Sequence, residues 1–495
     1  MCPREDSNPH AFWAYAPEAY VYTNFTTRAS GLYYIMHIRI LRCMHYVIDV
    51  ALQPNGFAVR VNKKTYPISY PSHIWKGFPK ALREPFAQMM TCVMTMHLSF
   101  PKDNTIAYGF PTPANEAFFS YGLSLAMSEN LLEHDPKKTK TTDYLRVVLN
   151  SYYRRTFTGH AKPWPAVAGY RPDKKTAIVP FSFGKDSLLT LGLCRELGIK
   201  TVPIFFLEPS NTFENKNKLK LIAEFKKQEG IAVEAFAVSL ADLRFTDGFA
   251  WGWDNFLTQY TLLLLPYMYA YKASYFFWSN EYNRDVTAVD SEQFVAHHTF
   301  EQSPRWLQVL ESALRPFGVP VKVASILERL PEFSVLGTLH TRYPSLASFQ
   351  LSCLNDEPSS AAKRWCGNCY ECAKVYIHLA ALGIAGSNVE LKDDMLAEKN
   401  KKHFYIFRPD DFHNAFTFNR EEHLYAFYKA YTRGVRGGIM KEYVRKFEKT
   451  ARTMESRWRA RYFQVYKAVN TPEELQKPLE RIFTKEVRGL SSSMR

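Results

Sequence analysis

The chain has 495 residues, of which 46% are hydrophobic and 22% are charged, and its formal net charge is +15. This composition is that of a globular protein, and the length predicts two or three domains. The most apolar run, residues 262–271, is too short to cross a bilayer, which excludes a membrane-spanning class. Because residues 1–10 lack the apolar stretch of a signal peptide, we expect a cytoplasmic protein.

The net positive charge predicts attraction to polyanions such as nucleotides and nucleic acids. Lysines and arginines are frequent in residues 433–461, where aromatic residues are interleaved with them. Helical spacing places many of these aromatics on one face, so a helix with a packed face and a solvated basic face is the favoured interpretation. Nucleic acid is therefore the less favoured partner, and the sequence leaves the oligomeric state open.

The pattern along the chain predicts three regions. Residues 1–159 form a mixed α+β region, with strands in residues 46–61 on either side of a Pro54-Asn55-Gly56 turn. Residues 160–385 begin with a proline-rich link and form the second region, and residues 386–495 form a basic, largely helical third region. In the third region, Thr471 and Pro472 predict the cap and the first position of a helix.

In the second region, apolar strands alternate with helices. The predicted strands are residues 176–181, 202–207, 233–238 and 274–279, and the predicted helices are residues 187–197, 217–228 and 254–271. Such alternation predicts an α/β fold, in which a parallel sheet carries helices on both faces.

The sequence Ser182-Phe183-Gly184-Lys185-Asp186-Ser187 joins the first of these strands to the first helix. Backbone N–H groups of such a turn, together with the N-terminus of the following helix, form an anion site. Ser182 and Ser187 can add hydroxyl donors, Lys185 adds positive charge, and Asp186 can hold Mg²⁺ or position the loop. In an α/β sheet this turn lies at the carboxyl ends of the strands, where ligands bind. A polar turn that only caps the helix is the alternative.

This hexapeptide resembles the PP-loop, Ser-Gly-Gly-x-Asp-Ser, of the ATP pyrophosphatases, which cleave ATP between its α- and β-phosphates. Phe183 stands at the position of the family's first glycine, where glycine normally allows unusual backbone angles and close approach of phosphate. The resemblance implies a PP-loop (HUP-like) fold, ATP and Mg²⁺ as cofactors, and nucleotide binding by residues 182–187. It also implies catalytic roles for Lys185 and Asp186.

Cys366, Cys369 and Cys372 lie on a tight turn that leads into a helix, and Cys353 precedes them. Four thiolates complete the tetrahedral coordination of Zn²⁺ and leave no open position for chemistry, so the sequence predicts a structural zinc site. An iron–sulfur cluster is the rival, because it also takes four cysteines. The other cysteines are scattered, which favours a reducing compartment over a disulfide framework.

A PP-loop followed by a Cys-x12-Cys-x2-Cys-x2-Cys site is similar to the 7-cyano-7-deazaguanine synthases. The residues around the cysteines, Ser352-Cys353 and Arg364-Trp365-Cys366-Gly367, are similar to the ATP-dependent UDP-N-acetylmuramoyl-L-alanyl-L-glutamate epimerases. Both resemblances imply that a substrate carboxylate attacks the α-phosphorus of ATP to form an acyl-adenylate. A nucleophile such as ammonia then gives an amide or nitrile, or a base removes the α-proton and epimerisation follows.

Ser279, Asn280 and Glu281 follow a predicted buried strand and resemble a Gly-Asn-Glu element of these enzymes. Asn280 and Glu281 are therefore candidates for contacts to substrate or Mg²⁺, with Glu281 as a candidate catalytic residue. A strand-ending turn is the alternative. His297 and His298 are candidate bases or substrate contacts, although packing is the more usual role of paired histidines.

Five further residues are candidates for which a role outside the chemistry is favoured. Glu328 and Glu332 flank a Leu-Pro turn and are either substrate contacts or solvated side chains, with solvation slightly favoured. Asp254 and Asn255 favour capping of the predicted helix 254–271. Cys194 lies on the helix after the PP-loop and is a candidate sulfur carrier, but buried packing is favoured.

These features predict an enzyme that adenylates a small-molecule carboxylate and releases AMP and pyrophosphate. A glutamyl-epimerase-like outcome is favoured over deazaguanine-nitrile synthesis. Two alternatives stay open. One is a tRNA-thiolating enzyme of the same fold, which needs a reactive cysteine near the loop, and the other is a non-catalytic nucleotide-binding module.

Overall fold

The computed structural model describes residues 44–122, 124, 140–160, 165, 169–245, 255–353 and 363–494. Asp254, residues 1–10 and, in the proline-rich link, residues 161–164 and 166–168 lie outside the described residues. Across the part that is described, every helix is too short or too polar to traverse a lipid bilayer.

The N-terminal region contains a mixed five-stranded sheet. Its strands are β1 (His45–Gln53), β2 (Gly56–Val61), β3 (Lys64–Ser69), β4 (Thr105–Tyr108) and β5 (Arg155–Phe157). The strand order is β3-β2-β1-β4-β5, with antiparallel pairing from β3 to β1 and parallel pairing from β1 to β5. The predicted hairpin at Pro54 and Asn55 is therefore confirmed, and it forms the antiparallel half of this sheet. The helices of this region include α1 (Ser72–Gly77), α2 (Lys80–Thr95) and α3 (Thr141–Tyr153), and residues 116–122 are also helical.

The second sheet is parallel throughout, as the alternation of strands and helices predicts. Its strands are β6 (Asp173–Pro180), β7 (Lys200–Leu207), β8 (Glu234–Ala237), β9 (Ala273–Phe277) and, after a separate hairpin of β10 (Thr287–Val289) and β11 (Val295–His297), β12 (Lys322–Ala324). The strand order is β12-β9-β6-β7-β8. The chain therefore leaves β6 towards one edge through β7 and later returns to the other side at β9, which creates a switch point between β6 and β9.

The helices that surround this sheet continue to the end of the described chain. They are α4 (Lys185–Glu196), α5 (Thr212–Glu229), α6 (Phe256–Leu263), α7 (Leu265–Tyr271), α8 (Pro304–Leu314), α9 (Glu332–Arg342), α10 (Pro344–Ala347), α11 (Tyr370–Leu382), α12 (Thr417–Thr432), α13 (Gly438–Tyr462) and α14 (Glu473–Ser493). In α13 the aromatic residues Tyr443, Trp458 and Tyr462 are buried while most lysines and arginines are exposed. This is the packed face and solvated basic face that the spacing predicts.

The two faces of the parallel sheet belong to two hydrophobic cores. Ala177 and Val179 of β6 face a core that includes α4, α5, α9 and the C-terminal helices. Ile178, between them, faces a core shared with the N-terminal sheet and with α2, α6 and α7. Because side chains alternate along a strand, one strand serves both cores. Each core thus joins the central region to one of the flanking regions.

One helix prediction is wrong in detail. Residues 256–271 form two helices, α6 and α7, that meet at Leu264, rather than one helix from residue 254. Pro266 explains the break, because its ring displaces the carbonyl four residues earlier and it lacks an N–H donor.

The predicted start of α14 is also corrected, because Pro472 takes the cap position and Thr471 lies outside the helix. Thr471 instead donates its hydroxyl and its backbone N–H to the carboxylate of Glu328, at 2.6 and 2.7 Å. The same carboxylate accepts the N–H groups of Val469 and Asn470. Glu328 is 6% exposed, so the expectation of a solvated side chain is wrong. It fastens the segment before α14 to the end of β12.

We expect Glu328→Ala to lower the free energy of unfolding by about 3 kcal/mol, because three backbone N–H groups, two of them buried, would lose a charged acceptor. The measurement is urea unfolding of the full chain. Glu224→Ala, at an exposed position of α5, is the control, with an expected change within about 0.5 kcal/mol. Equal effects of the two substitutions would contradict this role of Glu328.

Candidate functional site

The loop of residues 182–184 connects the carboxyl end of β6 to the N-terminus of α4, at the switch point between β6 and β9. The first N–H groups of α4 have no acceptor within the helix and are directed towards the loop. Ser182 is exposed, and its hydroxyl accepts the N–H of Gly184 at 3.3 Å. The hydroxyl of Ser187 donates to the carbonyl of Gly184 at 3.1 Å. The sequence therefore placed this loop correctly at the carboxyl edge of the sheet.

Phe183 has the backbone conformation of a glycine but the side chain of a core residue. Its φ angle is 62°, in the left-handed region that glycine adopts without steric cost. Its ring is fully buried, at 4.8 Å from the ring of Phe181 and 5.4 Å from that of Phe225. The ring therefore packs into the core and does not cover the exposed side of the loop. The strain of this conformation is of the kind that clusters at functional sites.

Leu351 and Lys218 hold the backbone carbonyls of the loop by hydrogen bonds on its buried side. The N–H of Leu351 donates to the carbonyl of Phe183 at 2.8 Å. The ammonium of Lys218 donates to the carbonyls of Ser182 and Leu351. Lys218 is 1% exposed, and burial lowers its pKa to about 8. Sequence reasoning missed this lysine, although its spacing of three and seven residues from Leu221 and Phe225 places it on the buried face of α5.

Lys185 lies in a cluster of carboxylates. Its ammonium is 2.8 Å from each carboxylate oxygen of Asp186, 3.3 Å from Glu332 and 3.8 Å from Glu281. Burial disfavours the charged form of Lys185, but these carboxylates outweigh it and raise the pKa of the lysine. Burial, followed by the negative charge of Glu281, raises the pKa of Asp186 to about 7. The structure therefore brings together Lys185, Asp186 and Glu281, three residues that the sequence singled out.

Asn280 and Glu281 follow β9 but have different surroundings. The side-chain amide of Asn280 donates to the carbonyl of Gln302 at 2.9 Å, and its backbone carbonyl accepts the hydroxyl of Ser325 at 2.7 Å. Asn280 therefore ties neighbouring segments together in this structure. Glu281 instead faces the charged cluster and accepts the guanidinium of Arg284 at 3.0 Å.

A cavity of about 680 Å³ adjoins this cluster. Glu281 and Glu332, which contact Lys185, also line the cavity, whereas residues 182–187 do not. Its cationic lining includes Arg284 and Lys374, and Lys374 lies 3.2 Å from Glu332. The expectation that Glu332 is solvated is therefore wrong. The cavity therefore lies beside the charged cluster that contains Lys185.

The C-terminal region supplies a large part of the cavity lining, which the sequence did not indicate. Tyr405, His413 and Glu422 line it from this side, and His378 lines it from α11. Burial lowers the pKa of His378 to about 4, so its ring is neutral at pH 7. Burial and the charge of Glu332 raise the pKa of Glu422 to about 8. These residues lie far apart in the chain, and no local motif marks them.

Of the predicted histidine pair, His298 lines the cavity and His297 does not. The Nδ1 atom of His298 is 3.2 Å from the guanidinium of Arg284. Burial and that guanidinium lower the pKa of His298 well below its ordinary value. His298 is therefore neutral in this environment, while His297 lies 3.7 Å from Asp285.

Cys353, Cys366, Cys369 and Cys372 form one cluster, with ligand atoms within 4.8 Å of one another. The sulfur of Cys372 is 3.4 Å from that of Cys369 and 3.7 Å from that of Cys366. The sulfurs of Cys353 and Cys369 are 3.9 Å apart. Tetrahedral Zn²⁺ with Zn–S bonds of about 2.3 Å requires sulfurs about 3.8 Å apart, so the cluster could hold zinc. The N–H of Cys372 donates to the sulfur of Cys369 at 3.4 Å, and the N–H of Asn368 to that of Cys366 at 3.3 Å. Such donors stabilise thiolates at a metal centre.

Cys194 is fully buried on α4 and belongs to the core. Burial raises the pKa of its thiol well above the ordinary value. A sulfur carrier needs an accessible thiolate, so this environment does not suit the thiolating alternative.

We expect the purified chain to contain about one zinc ion per molecule, since four thiolates saturate one ion. Cys369→Ser should lose the metal and lower the melting temperature, because the cysteine segment also holds the loop through Leu351. Metal analysis by mass spectrometry and thermal unfolding check both outcomes, and Cys194→Ala, outside the cluster, is the control that keeps its metal. Iron and inorganic sulfide in the purified protein, together with a brown colour, would contradict the zinc prediction and indicate an iron–sulfur cluster.

Comparisons of the chain with family models, curated proteins and solved structures found no match. The resemblance of residues 182–187 to a PP-loop therefore rests on these residues and on their position in the sheet.

Proposed function

We propose that the chain binds ATP at residues 182–187 and adenylates the carboxylate of a small molecule held in the neighbouring cavity. A carboxylate oxygen of the substrate attacks the α-phosphorus of ATP. The bond between the α-phosphorus and the bridging oxygen breaks, and pyrophosphate leaves with that oxygen. The product is an acyl-adenylate, whose carbonyl carbon is a better electrophile than that of the free carboxylate.

The observation that carries this proposal is the position of the loop. A turn with a left-handed residue, Phe183, precedes the N-terminus of α4 at the switch point of a parallel sheet. Oriented N–H groups at such a turn neutralise phosphate charge without reorganisation. The cavity begins at Glu281 and Glu332, which contact the lysine of the same loop. Nucleotide and substrate would therefore meet at Lys185.

The charged side chains have separate roles in this proposal. Lys185 supplies positive charge next to the phosphates. Asp186 and Glu281 supply the carboxylate oxygens that Mg²⁺ prefers and would hold the ion that accompanies ATP, whose chemistry is to neutralise the triphosphate. Arg284 and Lys374 line the cavity and can bind the substrate carboxylate. Catalysis would then depend mainly on positioning and charge neutralisation.

The fate of the adenylate distinguishes the two resemblances given above. A glutamyl-epimerase-like reaction removes the proton next to the activated carbonyl, whereas a 7-cyano-7-deazaguanine-synthase-like reaction adds ammonia. This proton transfer needs a base at the cavity, and His298 places an imidazole in the cavity lining. This observation supports the epimerase-like outcome as the first candidate. A non-catalytic nucleotide-binding module, in contrast, would release no pyrophosphate.

We expect Asp186→Ala to reduce the formation of AMP and pyrophosphate by about 100-fold or more, because it removes a carboxylate that would hold the Mg²⁺ ion beside the phosphates. Ser187→Ala should also reduce turnover, since its hydroxyl lies at the same turn. The assay follows α-labelled ATP with Mg²⁺ and candidate carboxylates.

Ser345→Ala, at an exposed position after α9, is the control for turnover, and zinc content is the control for folding. ADP as the product would disprove the proposal, because it would place the cleavage between the β- and γ-phosphates.

A further inference from the structure

We propose that Glu332, His378 and Glu422 form a second metal site, for one divalent transition ion, in the lining of the cavity. One nitrogen of His378 and one oxygen of each carboxylate lie within 4.8 Å of one another. This site shares no ligand with the cysteine cluster and does not depend on the proposed use of ATP.

The ligands come from three helices that pack together, so their spacing is fixed by the fold. Glu332 is the first residue of α9, His378 lies in the middle of α11, and Glu422 lies on α12. α11 and α12 are packed along their length, and α9 contacts α11. Ligands on rigid helices keep their geometry better than ligands on loops.

The histidine is arranged as a metal ligand. Its Nδ1 lies 2.8 Å from the backbone carbonyl of Lys374, which fixes the tautomer with the proton on Nδ1. Its Nε2 is buried and has no hydrogen-bond partner among the described residues. A buried lone pair without a donor is costly, and a metal ion would satisfy it. The pattern of one nitrogen held by a carbonyl and the other left for a metal is common in metal sites.

Glu422 is oriented by neutral donors. The N–H of Phe333 donates to one of its oxygens at 2.9 Å, and the amide of Asn283 donates to the other. Glu422 is 1% exposed. Each oxygen keeps a further lone pair, so these contacts position the carboxylate without blocking coordination.

The charge around the site favours a dication. Five carboxyl groups (Asp186, Glu281, Glu332, Glu371 and Glu422) face three cationic side chains (Lys185, Arg284 and Lys374) in this cluster. The carboxyl groups outnumber the cationic side chains by two, and a bound dication would offset that difference. Imidazole together with carboxylate suits Mn²⁺, Fe²⁺ or Zn²⁺ better than Mg²⁺, which prefers oxygen ligands alone. An ion here would face the cavity and could polarise a carbonyl or carboxylate of the substrate.

The test is a titration of the zinc-loaded full chain with Mn²⁺, without ATP, followed by electron paramagnetic resonance. Mn²⁺ binds thiolates poorly, so it reports on this site and leaves the cysteine cluster occupied. We expect one tightly bound Mn²⁺ whose spin-echo modulation shows a coupled ¹⁴N nucleus from His378. If the unmodified chain binds no Mn²⁺, or binds Mn²⁺ without nitrogen coupling, the proposal is overturned.

Substitutions locate the ion. Glu422→Gln should weaken Mn²⁺ binding by at least about 10-fold, and His378→Gln should also abolish the nitrogen coupling. Glu421→Gln is the matched control, since Glu421 neighbours Glu422 on α12 but pairs with Arg461. Zinc content and circular dichroism show that each variant is folded. Equal affinity in the two glutamate variants, or loss of Mn²⁺ only in Asp186→Ala, would place the ion elsewhere and overturn the assignment.

Discussion

The ammonium of Lys185 connects the parts of the molecule on which the site depends. It is buried, and it lies within 3.8 Å of carboxylates from α4, from the end of β9 and from the start of α9. A buried ion of either sign is costly unless it is paired, so these groups require one another. The loop after β6, the strand end after β9 and the edge of the cavity are therefore held in one arrangement. Loss of Lys185 would remove the cation that is paired with Asp186 in the interior.

A second set of hydrogen bonds connects the segment that carries Cys353 to the same loop. Leu351 lies two residues before Cys353, and its N–H and carbonyl bind Phe183 and Lys218. Lys218 in turn binds the carbonyl of Ser182. A metal at the cysteines would thus fix the segment that supports the left-handed turn at Phe183. The aromatic packing of the Phe183 ring offsets the strain of that turn, which explains how a phenylalanine can adopt this left-handed conformation and leave the loop open.

The cavity is built by segments that are far apart in the chain. α9, α11 and α12 each supply polar side chains to it, and the last of these belongs to the region that the sequence marked only as basic and helical. Both hydrophobic cores cross the predicted region boundaries. The C-terminal helices are therefore part of the site, and their basic exposed face is a separate feature.

The sequence by itself determined the elements with a local cause. Apolar runs between glycines predicted the strands and helices of the parallel sheet. The hexapeptide predicted a loop between β6 and α4, and the cysteine spacing predicted a cluster that could bind zinc. Each of these depends on neighbours within a few residues, where periodicity and backbone preference act directly.

Only the tertiary structure decided which polar groups are buried together. The sequence around Glu328 and Glu332 does not distinguish them from solvated glutamates. Glu328 nevertheless binds the segment before α14, and Glu332 pairs with both Lys185 and Lys374. Lys218, His378 and Glu422 gain their roles from contacts across more than a hundred residues or between helices. Burial and pairing of charge are properties of the packed chain, because they depend on which surfaces meet, and no local pattern encodes that choice.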